Sequence, residues 1–141
     1  MKLNFACCLI GVCLVGCTPS QPAAKTATTA QPHEHETATS LPAAIKQLNT
    51  HLETVAKAFS EKKPDDAHDA LHDIGFLLKS IPALAKELPD ERKSAVKKSV
   101  DELKEGIDAL DETLHGGPET PYSKVEERIA AAMAGLRTAT E

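Results

Sequence analysis

The sequence predicts an all-α protein whose folded part is an up-down-up-down antiparallel four-helix bundle. Apolar side chains between residues 41 and 139 recur every three or four positions in four separate stretches, which is the spacing of one helix face. The stretches are joined by the short segments EKKP, LPDE and GGPETP, and short connections favour antiparallel neighbours. No stretch has the alternation of apolar and polar residues that is typical of a half-buried strand.

The start of the chain, MKLNFACCLIGVCLVGC, has the layout of a secretory signal segment. Lys2 supplies a short basic start, and residues 5 to 15 form an apolar run that is too short to span a bilayer. The run ends in LVGC, which resembles the lipobox of bacterial lipoproteins. The resemblance implies that residues 1–16 are a signal peptide and that Cys17 carries a diacylglyceryl group as the first mature residue. An uncleaved membrane anchor is the alternative.

Thr18 indicates which membrane the lipid enters. In lipoproteins an Asp after the lipidated cysteine implies retention in the inner membrane, and this chain has Thr18 there. The resemblance therefore implies an outer-membrane lipoprotein that faces the periplasm, or a cell-membrane lipoprotein if the cell has one membrane. Removal of the signal peptide also removes Cys7, Cys8 and Cys13, which leaves no thiol for a disulfide or a zinc-thiolate site.

Residues 18 to 40, TPSQPAAKTATTAQPHEHETATS, lack large apolar side chains and any regular period, so we expect a disordered tether. A coil of this length keeps the folded part about 25 to 30 Å from its lipid on average. HEHE at residues 33 to 36 is either a weak, transient cation site or part of a solvated linker, because an unstructured site must lose entropy to bind. The predicted domains are a signal peptide at residues 1–16, a lipidated tether at residues 17–40 and a helical bundle at residues 41–141.

The first two helical stretches contain prolines with different predicted effects. In the first stretch Ser40 is a favoured N-cap, and Pro42 falls in the first turn, where its missing N–H is not needed. In the second stretch Pro82 removes a backbone donor, so we expect a kink or an interruption between Leu78 and Pro82. A three-helix body with a break at Pro82 and a bundle completed by a second chain remain alternatives.

The last two stretches contain clear start and stop signals. The third ends at Gly116 and Gly117, which can adopt the left-handed cap conformation. The fourth has two candidate starts, Thr120 with Pro121 and the SKVE capping box at residues 123 to 126. Its alanine-rich segment RIAAAMAGL suits close packing, and its short length leaves dimerisation open. The helical region also resembles uncharacterised, His-bearing, secreted bundle proteins of bacteria, and that resemblance implies no function.

Composition excludes several classes of function. The chain has 16 Lys and Arg against 21 Asp and Glu, a formal net charge of −5, and removal of Lys2 makes it one unit more negative. Acids and bases are interspersed along every stretch, so nucleic acid is not an expected partner. The chain has no Gly-rich phosphate loop, no nucleophile elbow and no Cys-x-x-Cys-His sequence. We therefore expect a protein that is not an enzyme.

Two histidines lie one helical turn apart in DDAHDALHDIG, where His68 and His72 take heptad positions e and b. Imidazoles at i and i+4 project from one helix face and can share a cation. In the third stretch Asp111 and His115 take the same two positions; Asp111 lies at a height that matches His68, whereas His115 lies almost at the end of the helix. We therefore expect His68, His72 and Asp111 to bind one Zn(II) or Cu(II) ion in a groove between the second and third helices, with Ni(II) also suited to these ligands. Further candidate ligands are His115, Asp65 and Asp108.

A solvated polar helix face is the alternative to a metal site, because b positions normally point to solvent and acids there pair with Lys. His115, beside two glycines, is also typical of a cation at a helix C-terminus. A second cofactor hypothesis places b-type haem between His51 and Met133, as in four-helix cytochromes. A packed, hydrogen-bonded His51 and a gap-filling Met133 are the simpler interpretation.

These observations predict a non-enzymatic envelope lipoprotein that is anchored to the membrane by its lipid and binds a divalent transition metal. The competing hypothesis is a protein-interaction or structural module without metal, whose partner is another envelope protein. Phe76, at an outward f position, is the residue on which that hypothesis depends.

Overall fold

The computed structural model describes residues 38 to 141, so the predicted signal peptide, Cys17 and most of the predicted tether, with HEHE, lie outside the described residues. The described part is all-helical and contains no strand, which confirms the predicted all-α class. Its elements are α1 (Leu41–Ser60), a 3₁₀ turn (Pro64–Ala67), α2 (His68–Leu84), α3 (Asp90–Leu114), a second 3₁₀ turn (Tyr122–Lys124) and α4 (Glu126–Thr140).

Consecutive helices pack on one another, and α1 also contacts α4. The apolar face of every helix supplies side chains to one buried cluster. The largest fully buried side chains are Leu48, Val55, Ile74, Ile81, Val96, Leu103, Leu110 and Leu136. Each of them contributes about 1.5 to 3 kcal/mol by leaving water, so this core is the main source of stability.

Within residues 38 to 141, no helix has the length and apolar character needed to cross a bilayer.

Helix α1 begins where the sequence predicts. The Ser40 hydroxyl accepts a hydrogen bond from the Ala43 backbone N–H at 3.4 Å, and the Ser40 backbone is extended, as an N-cap requires. Pro42 lies in the first turn, where a missing N–H leaves no helical carbonyl without a partner.

Helix α2 continues through Pro82, which corrects the expected interruption between Leu78 and Pro82. The helix ends at Leu84, so Pro82 lies in its last turn and removes only one backbone hydrogen bond. The Ala85 N–H still donates to the Ile81 carbonyl at 3.0 Å. The three-helix alternative, which needs a break at Pro82, is therefore wrong for this part of the chain.

Helix α3 ends in a Schellman motif around Gly116. The Gly117 N–H donates to the Glu112 carbonyl at 2.8 Å, and the Gly116 N–H donates to the Thr113 carbonyl at 3.4 Å. Gly116 has a φ of 80°, a left-handed conformation that is costly for residues with a Cβ. The predicted stop is confirmed, and the motif fixes His115 as the C-cap residue.

Helix α4 begins later than either start that the sequence indicates. Thr120 and Pro121 precede a 3₁₀ turn, and the SKVE box is not formed because Ser123 lies inside that turn. The α-helix begins at Glu126, after Val125, and no side chain caps it. Burial of Val125 in the core is the competing interaction, because it draws the chain inward at the position where the capping box would form.

Small residues let α3 and α4 approach closely. A Cβ at Gly106 would lie 3.1 Å from Ile129 Cγ1, and a Cβ at Gly135 would lie 2.8 Å from Ser99 Oγ. Glycine at these positions gives the short, alanine-rich α4 a close contact with its neighbour. This agrees with the expectation that the segment RIAAAMAGL is suited to close packing.

We expect Gly116→Ala to lower the free energy of unfolding by about 1 kcal/mol, because alanine in the left-handed conformation is strained. Gly75→Ala is the matched control. Gly75 lies inside α2 and has open space on the side where a Cβ would project, so alanine there should raise the free energy of unfolding by up to about 1 kcal/mol. Urea denaturation measures both values. A Gly116→Ala protein as stable as the parent would contradict the assigned role of Gly116.

Candidate metal centre

Three histidines from two helices come together at one corner of the protein. His68 is the first residue of α2, His72 lies one turn later, and His115 follows the last residue of α3. One ring nitrogen of each lies within 4.8 Å of those of the other two. The ring centroids of His68 and His72 are 4.7 Å apart, and those of His68 and His115 are 5.5 Å apart.

Local backbone signals at both helices produce this corner. The 3₁₀ turn Pro64–Ala67 leads directly into α2, so His68 and His72 project from its first two turns on one face. The Schellman motif stops α3 at the same end of the α2–α3 pair, which brings His115 beside His68. The predicted i,i+4 pair, His68 and His72, therefore lies close to the end of the neighbouring helix α3.

The predicted acidic ligands lie around the three histidines rather than among them. Asp111 Oδ1 is 3.6 Å from His115 Nε2, but Asp111 is not in the group of ligand atoms that lie within 4.8 Å of one another. Asp108 forms an ion pair with Lys104, and Asp65 lies exposed in the first 3₁₀ turn. The histidine expected as a secondary candidate, His115, thus lies closer to the His68 and His72 pair than the carboxylate expected as the third ligand.

The corner is open to solvent, so an ion can reach the three imidazole rings, and little free energy is lost by desolvation. The His68 side chain is 44% exposed and that of His115 is 56% exposed. Nitrogens that share one tetrahedral Zn(II) at about 2.0 Å are about 3.3 Å apart. The ring nitrogens lie within 4.8 Å of one another, so each pair must approach by at most about 1.5 Å, which exposed imidazoles do by rotating about their χ angles. Neutral imidazoles without thiolates suit Zn(II), Cu(II) and Ni(II).

His51 and Met133, the residues of the haem hypothesis, line different seams of the protein. His51 Nδ1 is 3.8 Å from Asp73 Oδ2 on α2. Met133 is buried and lines a groove beside Leu52, between α1 and α4. His51 thus faces α2, whereas Met133 lines the groove between α1 and α4. The arrangement instead agrees with a packed His51 and a gap-filling Met133.

A groove beside the loop that follows α3 was not indicated by the sequence. Its volume is about 620 Å³, and its walls include Phe59 and Tyr122, whose ring centroids are 6.1 Å apart. Burial raises the pKa of the Tyr122 phenol above its ordinary value of 10.0, and the negative charge of Glu126 raises the pKa further. Two isolated aromatics far apart in sequence give no local signal of such a pair.

Comparison of the chain with protein-family models, with curated proteins and with solved structures found no match.

Tyr122 is the chain's single tyrosine, so its ionisation can be followed by the absorbance of tyrosinate. We expect its titration midpoint to lie above that of the urea-unfolded chain and to fall in Glu126→Gln, but not in the control Glu127→Gln. A phenol with a raised folded-state pKa adds stability below the unfolded pKa, and that stability is lost as the pH rises through the folded pKa. A folded midpoint equal to the unfolded one would contradict the partly buried position of Tyr122.

Proposed function

We propose that the protein is a non-enzymatic lipoprotein of the bacterial cell envelope whose helical domain binds one Zn(II) or Cu(II) ion at His68, His72 and His115. The single observation that supports it best is the convergence of these three imidazoles from two helices. Imidazole nitrogen is a common ligand for both ions, and Cu(II) is expected to bind more tightly than Zn(II) at a site of this kind.

Convergence of three histidines favours a binding site over a solvated polar face. A polar face needs only side chains that are hydrated, and nothing about hydration brings His115 of α3 to His68 of α2. A bound cation, by contrast, needs several imidazole nitrogens close together, which is what this corner offers.

We further propose that the four helices form an up-down-up-down antiparallel bundle. Supporting this topology are the short connections between helices, the packing of each helix on the next, and the position of the start of α2 beside the end of α3. The apolar core is complete without an ion, so folding is not expected to require metal. An ion at 100 times its dissociation constant adds only about 2.7 kcal/mol.

The proposed anchor is the diacylglyceryl group on Cys17, after removal of residues 1–16. Residues 17–40 then serve as the tether, and residues 41–141 are the metal-binding domain. The support for this part is the LVGC sequence, with Thr18 after it, which together imply an outer-membrane lipoprotein that faces the periplasm, or a cell-membrane lipoprotein if the cell has one membrane. Such a protein holds its ion at the membrane surface, within the reach of the tether.

A protein-interaction module is the second candidate, and Phe76 is the observation that favours it. Phe76 is 47% exposed, and the Lys79 ammonium lies 5.4 Å from the ring centre. An exposed aromatic ring can bury its surface against a partner protein. A complex that forms without metal and is lost in Phe76→Ala would support this candidate.

We expect the protein to bind one Zn(II) ion with a dissociation constant below about 10 µM, equivalent to about −6.8 kcal/mol. Isothermal titration calorimetry should use the full chain in detergent, with the four cysteines replaced by serine and with His33 and His35 replaced by alanine. This background chain has no thiolate and no HEHE sequence that can compete for the ion. His68→Ala, His72→Ala and His115→Ala should each weaken binding at least about tenfold.

The matched control for these variants is His51→Ala, because His51 is a partly exposed histidine outside the three-histidine corner. It should bind Zn(II) as tightly as the background chain. The metal hypothesis is wrong if the background chain shows no binding, or if the three variants bind no more weakly than His51→Ala.

We expect Cys17→Ser to prevent lipid attachment and to release the protein from membranes, because the lipobox cysteine is the residue that is modified. Detergent-phase partitioning and globomycin-sensitive processing of the wild-type and variant chains measure this in a bacterial host. Cys13→Ser, inside the apolar run, is the control and should leave both unchanged. Equal detergent partitioning of the Cys17→Ser and wild-type chains would disprove the anchor.

A further inference from the structure

Asp111 contains a buried oxygen that has no hydrogen-bond partner. Its side chain is 37% exposed as a whole, yet Oδ1 is buried and accepts no hydrogen bond. Among the described residues Gln47 Oε1 is the other buried side-chain oxygen in this condition. A buried carboxylate oxygen without a donor costs free energy. Asp111 Oδ1 should therefore accept a hydrogen bond from an N–H that moves within reach.

The ring of His115 lies close to this oxygen. Nε2 of His115 lies 3.6 Å from Asp111 Oδ1, which is slightly longer than a hydrogen bond. The backbone between them is held in place, because the His115 N–H donates to the Asp111 carbonyl at 3.2 Å and the Schellman motif follows directly. A small rotation of the exposed His115 ring is therefore sufficient to form the bond.

The burial of Asp111 Oδ1 strengthens such a bond. Asp111 borders a depression between α2 and α3 whose wall combines the buried apolar Leu71 and Ile107 with polar side chains, among them His72 and Lys79. A charge-assisted hydrogen bond to an oxygen shielded from water is stronger than the same bond in water. His68 has a comparable neighbour in Asp69, with Nδ1 and Oδ1 3.7 Å apart, but the Asp69 side chain is 79% exposed.

We infer that Asp111 is a positioning residue of the metal centre and not one of its ligands: its Oδ1 accepts the Nε2–H of His115, which leaves Nδ1 of His115 to bind the ion. The inference rests on the proposed function. A neutral imidazole has one N–H, so a hydrogen bond at Nε2 selects the tautomer whose lone pair is at Nδ1. The same bond fixes the plane of the ring.

This role leaves the ion with three protein nitrogens. Asp111 lies outside the group of mutually close ligand atoms, and no other acid of the described residues belongs to that group. A tetrahedral ion at this corner thus retains one position for water or a small exogenous ligand. Such an open position distinguishes the site from a closed structural zinc site with four protein ligands.

The test measures Zn(II) affinity by calorimetry and Cu(II) coordination by electron paramagnetic resonance, both in the cysteine-free background chain without HEHE. Asp111→Ala should weaken Zn(II) binding about 10- to 100-fold, which is typical of the loss of an outer hydrogen-bond partner. Its Cu(II) spectrum should keep the nitrogen hyperfine pattern of the background chain, because all three imidazoles remain. His115→Ala should lose part of that pattern.

Two further variants separate positioning from a general structural effect. Asp111→Asn keeps an oxygen that accepts the His115 N–H, so it should recover most of the affinity lost in Asp111→Ala. Asp69→Ala, the matched control at an exposed acid, should change the affinity by less than about threefold. Circular dichroism of each variant checks that the helices are intact.

Three outcomes would overturn the inference. An Asp111→Ala protein with the same affinity as the background chain would show that Asp111 does not act on the site. A Cu(II) spectrum that changes in Asp111→Ala while Asp111→Asn fails to recover affinity would identify Asp111 as a ligand. If the background chain binds neither ion, both the proposed function and this inference are wrong, whereas the first two outcomes leave the proposed function intact.

Discussion

The packing of α2 against α3 determines where the three histidines of the candidate metal centre lie. Buried apolar residues on both helices, such as Leu71 and Ile107, set the register of this pair. That register places the first turn of α2 beside the last turn of α3, and the three histidines occupy those turns. The energy for this arrangement comes from the core, so the polar corner need not contribute to folding. A rigid apolar scaffold can therefore hold three imidazoles close together before any ion is present.

Besides the core, two local backbone features determine where the histidines lie. The turn at Pro64–Ala67 sets where α2 begins, and the left-handed Gly116 sets where α3 ends. A shift of either point by one residue rotates the attached histidine by about 100° around the helix axis and separates the rings. Because both helix ends are fixed in this way, the backbone positions of the three histidines are well defined. Their exposed side chains can still rotate to bind an ion.

Patterns that act within one helix were predictable from the sequence, and those that depend on tertiary contacts were not. The apolar spacing, the Ser40 cap and the Gly116 stop are local signals, and the structure contains all three. The start of α4 was misplaced because burial of Val125 overrides the nearby capping box. Asp111 was ranked above His115 because estimated heights along the two helices placed Asp111 level with His68 and His115 almost at the rim. Such heights do not describe the turn that carries His115 as a C-cap residue. The heptad positions nevertheless predicted that this face of α2 lies beside the end of α3.

The central claim is that one ion is bound by imidazoles from both α2 and α3. X-ray absorption at the zinc edge of the Zn(II)-loaded, cysteine-free background chain tests this most directly, because multiple scattering from imidazole rings reports how many histidines bind. We expect about three imidazole nitrogens and one further light atom at about 2.0 to 2.1 Å. A first shell of oxygen alone, or an imidazole count that does not fall in His115→Ala, would contradict it.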